Sequence, residues 1–467
     1  MTASGGMSFA VEEIRFHHAL LETRLPFRYG MVSMERAPHV LVEVRVAAGG
    51  RQWLGMAAET LVPKWFVKQP GTSHEEDVRD MGAVLRHAAG LAVGGWADYG
   101  AWWRSLYEGQ RGMVSAPAFP ALLVQMGTAL IERAVLHALG RNCGRSLGGM
   151  LRAGLLGLEP GTLRAGGPGG SWERYLPPVW PAKITLRHTV GLSDPLVAAD
   201  VERPVADGLP QTLQENVGVF GLTHFKIKLS GRREEDAGRL RKLASVLPEG
   251  ARFTLDANEN YPDFRVFREH WEGWRADALL GPWLERGLLF VEQPLARERS
   301  LDAAAGEALA AWDHHPPVII DEADASLDDL PRALRLGYAG SSHKNCKGIG
   351  KGLANLVLLR HGGGILSGED LSNIPPVALL QDLAVMAEFG IPHVERNGHQ
   401  YFRGTSRFPR GVANGLVESY PRLFRDGGPS GAVLRIAKGE LEVTDLAGKP
   451  MGLAWEDVPD GFVEGLP

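Results

Sequence analysis

Three carboxylates and three lysines in the second half of this chain are spaced so that they could build one reactive site. The runs THFKIKLSG, RFTLDANENY, LLFVEQP, PVIIDEA, GSSHKNC and GILSGED each read as a short β-prone stretch closed by polar residues. They carry at their ends Lys226 and Lys228, Asp256 and Asn258, Glu292, Asp321 and Glu322, Lys344, and Glu369 and Asp370. From Lys228 the steps to positions 256, 292, 321, 344 and 369 are 28, 36, 29, 23 and 25 residues, each about one strand-plus-helix unit. Asp256, Glu292 and Asp321 brought bare to one rim would repel one another, and a hard divalent cation removes that repulsion. Mg²⁺ suits an all-oxygen ligand set, and the thiolate and imidazole that zinc favours are missing from these ends. Taken singly, each acid reads as an N-cap on the following helix. Three at this spacing read as ligands.

Lys226 and Lys228 are two residues apart on a strand and point to the same side. A KxK pair elsewhere marks a solvated strand edge. Here it lies in an apolar run, one unit ahead of the first acid. Crowding and desolvating two ammoniums lowers the pKa of at least one, which makes a base usable near neutral pH. Lys344 lies several strands away in the ring. Two lysines flanking one cation can act on both faces of a bound carboxylate.

The elements that must hold these groups follow from the rhythm of the chain. Residues 40–62 alternate apolar and polar positions across Gly49–Gly50 and predict an antiparallel hairpin. From about 75 to 160 the pattern is helical, and GTLRAGGPGGSWERYLPPVWP then reads as a linker or long surface loop. Seven of the twelve tryptophans precede residue 181 and read as packing. After 180, short strands alternate with helices, which implies parallel βαβ units closing into a barrel. The last ~60 residues lose the pattern, and SGAVLRIAKGELEVTD predicts a hairpin returning to the N-terminal part. The expected organisation is an α/β chain with an α+β cap over 1–180, a TIM-type barrel over 181–414 and a C-terminal segment over 415–467 that rejoins the cap.

Composition excludes several classes. Apolar residues make up 44% and charged residues 22%, which rules out wholesale disorder. Lys plus Arg minus Asp plus Glu is 50 − 55 = −5, so no general basic field is present for nucleic acid or an anionic membrane. The first residues lack a basic stretch followed by an apolar core, and two cysteines do not suggest a disulfide framework. The expectation is a cytoplasmic protein with reduced thiols.

KIK, DAN, VEQP, DE and KNCKGIG, in this order and spacing, resemble the enolase superfamily, in particular its muconate-lactonizing and dipeptide-epimerase branch within the mandelate racemase/muconate lactonizing enzyme family. The N-terminal hairpin and ALIERAVLHALGRNCGRSLGGML are similar to that family's capping elements, so the resemblance spans roughly residues 15–415. It implies a modified TIM barrel, (β/α)₇β, with an α+β cap completed by the C-terminal tail. It also implies Mg²⁺ held by Asp256, Glu292 and Asp321, and catalytic Lys228 and Lys344 on opposite faces. Lys226 would be the pKa-tuning, carboxylate-contacting neighbour, Asn258 and Glu322 would support the ligands, and Glu369 would stand near the substrate carboxylate. The chemistry implied is removal of a proton α to a carboxylate through an ene-diolate. A racemase, epimerase or cycloisomerase is expected, acting on a small carboxylate-bearing substrate as a homo-oligomer without nucleic acid or membrane. The alternatives are a syn-dehydratase lyase of the same superfamily and a metal-free Schiff-base aldolase on Lys228 or Lys344.

Departures from the family pattern are visible. The seventh strand ends in SGEDLSN, without the His of the racemase and dehydratase branches. The eighth reads HVERNGH in place of the Asp-x-Asp that holds a dipeptide amine, with Glu395 as a possible substitute. Lys347, of opposite strand parity, and His343 adjoin Lys344. GIGKG at 348–352 completes no phosphate motif and reads as a strand-to-helix turn. His314 and His315 read as a surface turn, and Cys346 as buried. Arg28, Tyr29 and Arg36 occupy the position of the family's mobile specificity loop.

Overall fold

The computed structural model describes residues 5–29, 32–69, 71–115 and 118–467, and of Arg28, Tyr29 and Val32 the backbone alone. Strands β1 (Phe9–Tyr29), β2 (Val32–Ala48) and β3 (Arg51–Thr60) form an antiparallel sheet. The predicted turn sits between β2 and β3, where Gly49 and Gly50 have φ of 58° and 76°. Two consecutive left-handed residues match the twist of a two-residue hairpin, and glycine adopts them without a Cβ clash. After α1 (Pro63–Phe66) comes α2 (His74–Ala92), which begins on a reciprocal cap. Ser73 Oγ accepts from the Glu76 amide, and the Glu76 carboxylate accepts from the Ser73 amide. β4 (Gly94–Trp96) adds to β1, and α3 (Tyr99–Arg111), α4 (Ala121–Cys143) and α5 (Leu147–Arg152) complete the cap. By length and composition α4 could cross a membrane, but it is buried from Leu122 to Gly140 within the molecule.

The barrel alternates as predicted. Its strands are β5 (Lys183–Val190), β6 (His224–Lys228), β7 (Arg252–Asp256), β8 (Leu288–Glu292), β9 (Val318–Ile320), β10 (Gly340–His343), β11 (Ile365–Gly368) and β12 (His393–Arg396). The intervening helices are α6 (Leu213–Phe220), α7 (Arg233–Val246), α8 (Phe264–Ala276), α9 (Leu280–Gly287), α10 (Arg297–Ser300), α11 (Ala303–Ala310), α12 (Asp329–Arg335), α13 (Ile349–Gly362) and α14 (Ala378–Glu388). All eight strands run parallel, and β12 closes on β5 with His393 opposite Thr185 and Arg396 opposite His188. Apolar bodies such as Phe225, Ile227, Leu255, Val291 and Ile320 are buried, which leaves the polar residues at the strand ends to form one rim.

The tail departs from its prediction. After α15 (Gly398–Tyr401) and α16 (Arg410–Ser419), β13 (Phe424–Asp426) pairs with β14 (Ala432–Leu434), while β15 (Glu440–Glu442) runs antiparallel along the start of β5. Of the expected hairpin over 430–445, only an Ala437–Glu440 bridge remains. The reason is an edge: β6 pairs with β5 only from Arg187 onward, so Lys183–Thr185 are open on that side and β15 takes it, burying Leu441. β16 (Val463–Glu464) does rejoin the cap, pairing with His17 and His18 on β1.

Candidate active site

Seen from the rim, the acids at the ends of β7, β8, β9, β11 and β12 are interleaved with lysines from β6 and the end of β10. Lys226 lies at the middle. Its Nζ donates to Glu292 Oε1 at 2.9 Å, Glu369 Oε2 at 2.6 Å and Glu395 Oε2 at 2.9 Å, and stands 3.1 Å from Asp256 Oδ2. Lys228 shares Asp256 Oδ2 at 2.5 Å. Lys344 shares Glu369 Oε2 at 2.9 Å and also donates to Asp321 Oδ1 at 2.7 Å. Lys347 reaches Asp321 Oδ1 at 2.8 Å, and Arg187 on β5 closes the ring against Glu369 Oε1 at 2.9 Å. β6 and β10 are four places apart in the eight-strand ring, so Lys228 and Lys344 approach the centre from opposite walls.

The charges shift one another's protonation. Burial works against the Lys226 ammonium, but Asp256, Glu292, Glu369 and Glu395 outweigh it and raise its pKa well above the ordinary lysine value. Four carboxylates, not the second lysine, dominate its surroundings. Lys344 is likewise raised, burial being overcome by Asp321 and Glu369. Burial also opposes the Asp256 carboxylate, and Lys226 and Lys228 nevertheless hold its pKa below the usual range. Asp321 is lowered in the same manner by Lys344 and Lys347. Glu292 goes the other way, raised by burial and by the neighbouring Asp256 and Glu369.

A cavity opens onto this network, lined by Lys226, Lys228, Asp256, Asp321, Lys344 and Glu395 together with Asn258, Asp370, Ser372 and Asn397. The cap supplies its apolar side through Phe27, Val62 and Trp65. Trp65, one of the tryptophans read as packing, lies with its ring centroid 5.1 Å from Lys344 Nζ. Its segment is fastened to the barrel. Arg297 donates to the Phe66 and Trp65 carbonyls at 2.8 and 2.9 Å and grips Glu259, while Lys68 Nζ donates to the Asn258 carbonyl at 2.8 Å. Asn258 and Glu259 have φ of 42° and 68°, left-handed positions at the end of β7 that turn the chain toward the cap.

Several residues brace the ligating groups. Gln293 of the VEQP run accepts from the Asp321 amide at 2.8 Å and donates to the Leu295 carbonyl at 2.7 Å, which locks the end of β8 to that of β9. Asn258 Nδ2 donates to Glu322 Oε1 at 3.2 Å, and burial with the adjacent Asp321 pushes Glu322 up to about 7. Lys347 donates to the Asp321 and Ser342 carbonyls and does not line the cavity, whereas Lys344 does. Arg36 pairs with Glu22 in solvent, away from the cavity, and the side chains of Arg28 and Tyr29 lie outside the described residues. His314 stands in an exposed turn with φ 56°, and Cys346 is buried.

The sequence reading passed over Arg187. Its signal was an arginine inside the strand ITLRHTV, where a buried charge requires a partner. Its guanidinium also donates to Ser367 Oγ at 2.7 Å and meets His393 Nδ1 at 2.8 Å, the imidazole being lowered to about 3 by burial and by Arg187. Glu395 is occupied by Thr189 Oγ1 at 2.6 Å and by Lys226.

The donors fit a hard divalent cation. Glu292, Asp321 and Glu369 each bring one carboxylate oxygen within 4.8 Å of the other two, and Glu292 Oε2 is buried with no hydrogen-bond partner. In this grouping Glu369 stands where the expected trio has Asp256, which is joined to it through Lys226.

No protein-family model matches the chain, and no curated sequence does. Solved structures do. Muconate lactonizing enzyme from Pseudomonas fluorescens, complexed with muconolactone, superposes with a TM-score of 0.60 at 16% identity, covering 94% of this chain and 95% of that one. A mandelate racemase/muconate lactonizing protein from Herpetosiphon aurantiacus gives 0.60 at 17% identity over 94% and 97%. Dipeptide epimerase from Cytophaga hutchinsonii, complexed with Mg and the dipeptide D-Ala-L-Val, gives 0.58 at 13% over 84% and 88%. The chain has the capped-barrel fold of these proteins.

Proposed function

We propose that this protein is an enzyme of the enolase superfamily that removes the proton α to the carboxylate of a small substrate, as an isomerase. The observation that carries the proposal is the placement of Lys228 and Lys344 on opposite walls of one cavity whose floor is acidic. Glu292 and Asp321, with Asp256 and Glu369 adjoining, would hold Mg²⁺. When bound, the cation supplies positive charge beside the substrate carboxylate, where negative charge develops as the α-proton leaves.

The chain's own residues divide the remaining work. Lys226, kept protonated by its carboxylate neighbours, is an electrostatic donor for a substrate carboxylate rather than a base. Lys228 Nζ as a neutral amine takes the α-proton, and the Lys344 ammonium returns one to the other face, which inverts the centre. With one lysine working alone, the same site performs cycloisomerisation or syn elimination. Val62, Trp65 and Phe27 exclude water over the reacting carbon. The fold's known occupants, muconolactone and a dipeptide, are small carboxylates, which supports this substrate class. A cytoplasmic homo-oligomer is part of the same reading.

The test is α-proton exchange in D₂O with Mg²⁺ against carboxylic acids, dipeptides and N-acylamino acids, which registers proton removal without net turnover. Exchange that disappears in Lys228→Ala or with EDTA is the expected result. Full activity in EDTA combined with borohydride trapping of a substrate on either lysine would overturn it in favour of a Schiff-base aldolase.

A further inference from the structure

The loops after β11 and β12 border a second cavity as well as the first. Ser372 and Asn397 line the active site, and their chain neighbours Asn373 and Gly398 line the other. Its remaining sides come from Phe220 at the end of α6, from Phe402 after α15, and from Phe424 and Leu434 on the β13–β14 ribbon, with Ile436 beyond it. The lining is mostly apolar, and Phe220, Leu434 and Ile436 pack against the core while staying only half-buried. Apolar walls left in contact with water favour a ligand whose hydrocarbon part covers them.

Three polar residues interrupt these walls. Asn373 is committed: its Nδ2 donates to Glu59 and Asp382, and its Oδ1 accepts from the Thr60 amide. His399 is half engaged. Its Nε2 meets His188 Nδ1 at 3.0 Å, while its Nδ1 is buried with no hydrogen-bond partner. Burial, with His188 and Arg396 nearby, lowers its pKa well below the ordinary value and keeps the ring neutral. Arg425, on β13, is exposed and has no ion pair or side-chain hydrogen bond among the described residues. The other arginines of the ribbon are occupied, Arg410 by Asp426 and Arg435 by the Phe424 carbonyl at 2.7 Å. Among the described residues lining the cavity, Arg425 alone is charged and no carboxylate accompanies it. A guanidinium with its donors idle at the mouth of an apolar cavity suits a carboxylate, which it can grip with two parallel hydrogen bonds, and repels an ammonium.

We propose that this cavity is a second binding site, separate from the proposed chemistry, for an apolar monocarboxylate of alkyl or aromatic type. The carboxylate pairs with Arg425, and the hydrocarbon body lies among Phe220, Phe402, Phe424 and Leu434. His399 Nδ1 is left to meet a polar atom on that body.

The experiment titrates octanoate and benzoate into full-length protein by calorimetry in EDTA, with octanamide and benzamide as the neutral counterparts. At least one acid is expected to bind tenfold or more tightly than its amide, and Arg425→Ala to bring the acid down to the affinity of the amide. Leu434→Trp, which fills the cavity from β14, is expected to abolish binding of acid and amide alike. Should that variant fail to fold, Arg425→Ala carries the test alone, since its side chain has no protein partner to lose. Absence of binding by both acids, or an acid that keeps its affinity in Arg425→Ala, overturns the proposal. Binding that requires Mg²⁺, or that disappears in Lys228→Ala, belongs to the active site and overturns it as well. None of these outcomes bears on proton removal at Lys228 and Lys344, which the exchange experiment decides separately.

Discussion

Lys226 and Lys228 share one strand, one direction and one acceptor, yet they invite opposite predictions. Lys226 is the only described cation touching Asp256, Glu292, Glu369 and Glu395 together. Lys226→Met leaves four buried carboxylates short of a counter-charge, and removal of one partner from a buried pair costs about 3–5 kcal/mol. The measurement is urea unfolding, with a lowered midpoint expected. Lys228→Ala leaves Lys226 still on Asp256, so its midpoint should move far less, while α-proton exchange falls by roughly 10²–10⁴-fold, the range of a general base. Spacing alone was enough to put Asp256 and Glu292 at the ends of β7 and β8, Asp321 and Lys344 just past β9 and β10, and Lys226 and Lys228 on β6. It could not reveal Arg187, Trp65 or Asn397, whose roles depend on which segments face each other across the barrel mouth.

Between elements, the contact of α4 with α13 carries a pH dependence. Glu132, inside α4, accepts from the Ile349 and Gly350 amides at the start of α13 and from the Tyr99 hydroxyl. A carboxylate at a helix N-terminus is favoured by the exposed amides. Burial nevertheless dominates and pushes Glu132 up to about 7. The folded pKa is above the ordinary value, so the folded state binds the proton more tightly than the unfolded chain. The associated stability is fully present below about pH 4.5 and is lost as pH rises through about 7. Comparing wild type with Glu132→Gln by thermal unfolding at pH 5 and pH 8 should show this: wild type loses stability over that interval relative to the variant. A second prediction concerns the segment bearing Trp65. Arg297→Ala removes the donors to two carbonyls and to Glu259, and Arg297→Lys cannot replace that fork. Both should raise KM about tenfold with a smaller change in kcat. The hairpin at Gly49–Gly50 and the alternation of barrel elements were legible, since turn chemistry and period are local. The fate of β15 was not, because it answers to an edge of β5 some 250 residues away.

At the scale of the molecule, cap and barrel share their interior. α4 is buried between the sheet and the barrel helices, Arg133 and Glu59 reach the loop after β11 through Asn373, and the tail touches both β5 and β1. A cap over 1–180 and a barrel over 181–414 are therefore proposed as units of sequence rather than of stability. Calorimetry should record one cooperative transition, and residues 181–414 expressed alone should stay insoluble or molten. The rim also has an implication for handling. Asp256, Glu292, Asp321, Glu369 and Glu395 each touch a lysine ammonium, so stripping the protein with a chelator leaves those acids with counter-charges that keep the mouth from bursting open. Chelated protein should lose turnover yet melt within a few degrees of the loaded form, and it should recover on re-addition of Mg²⁺ without refolding.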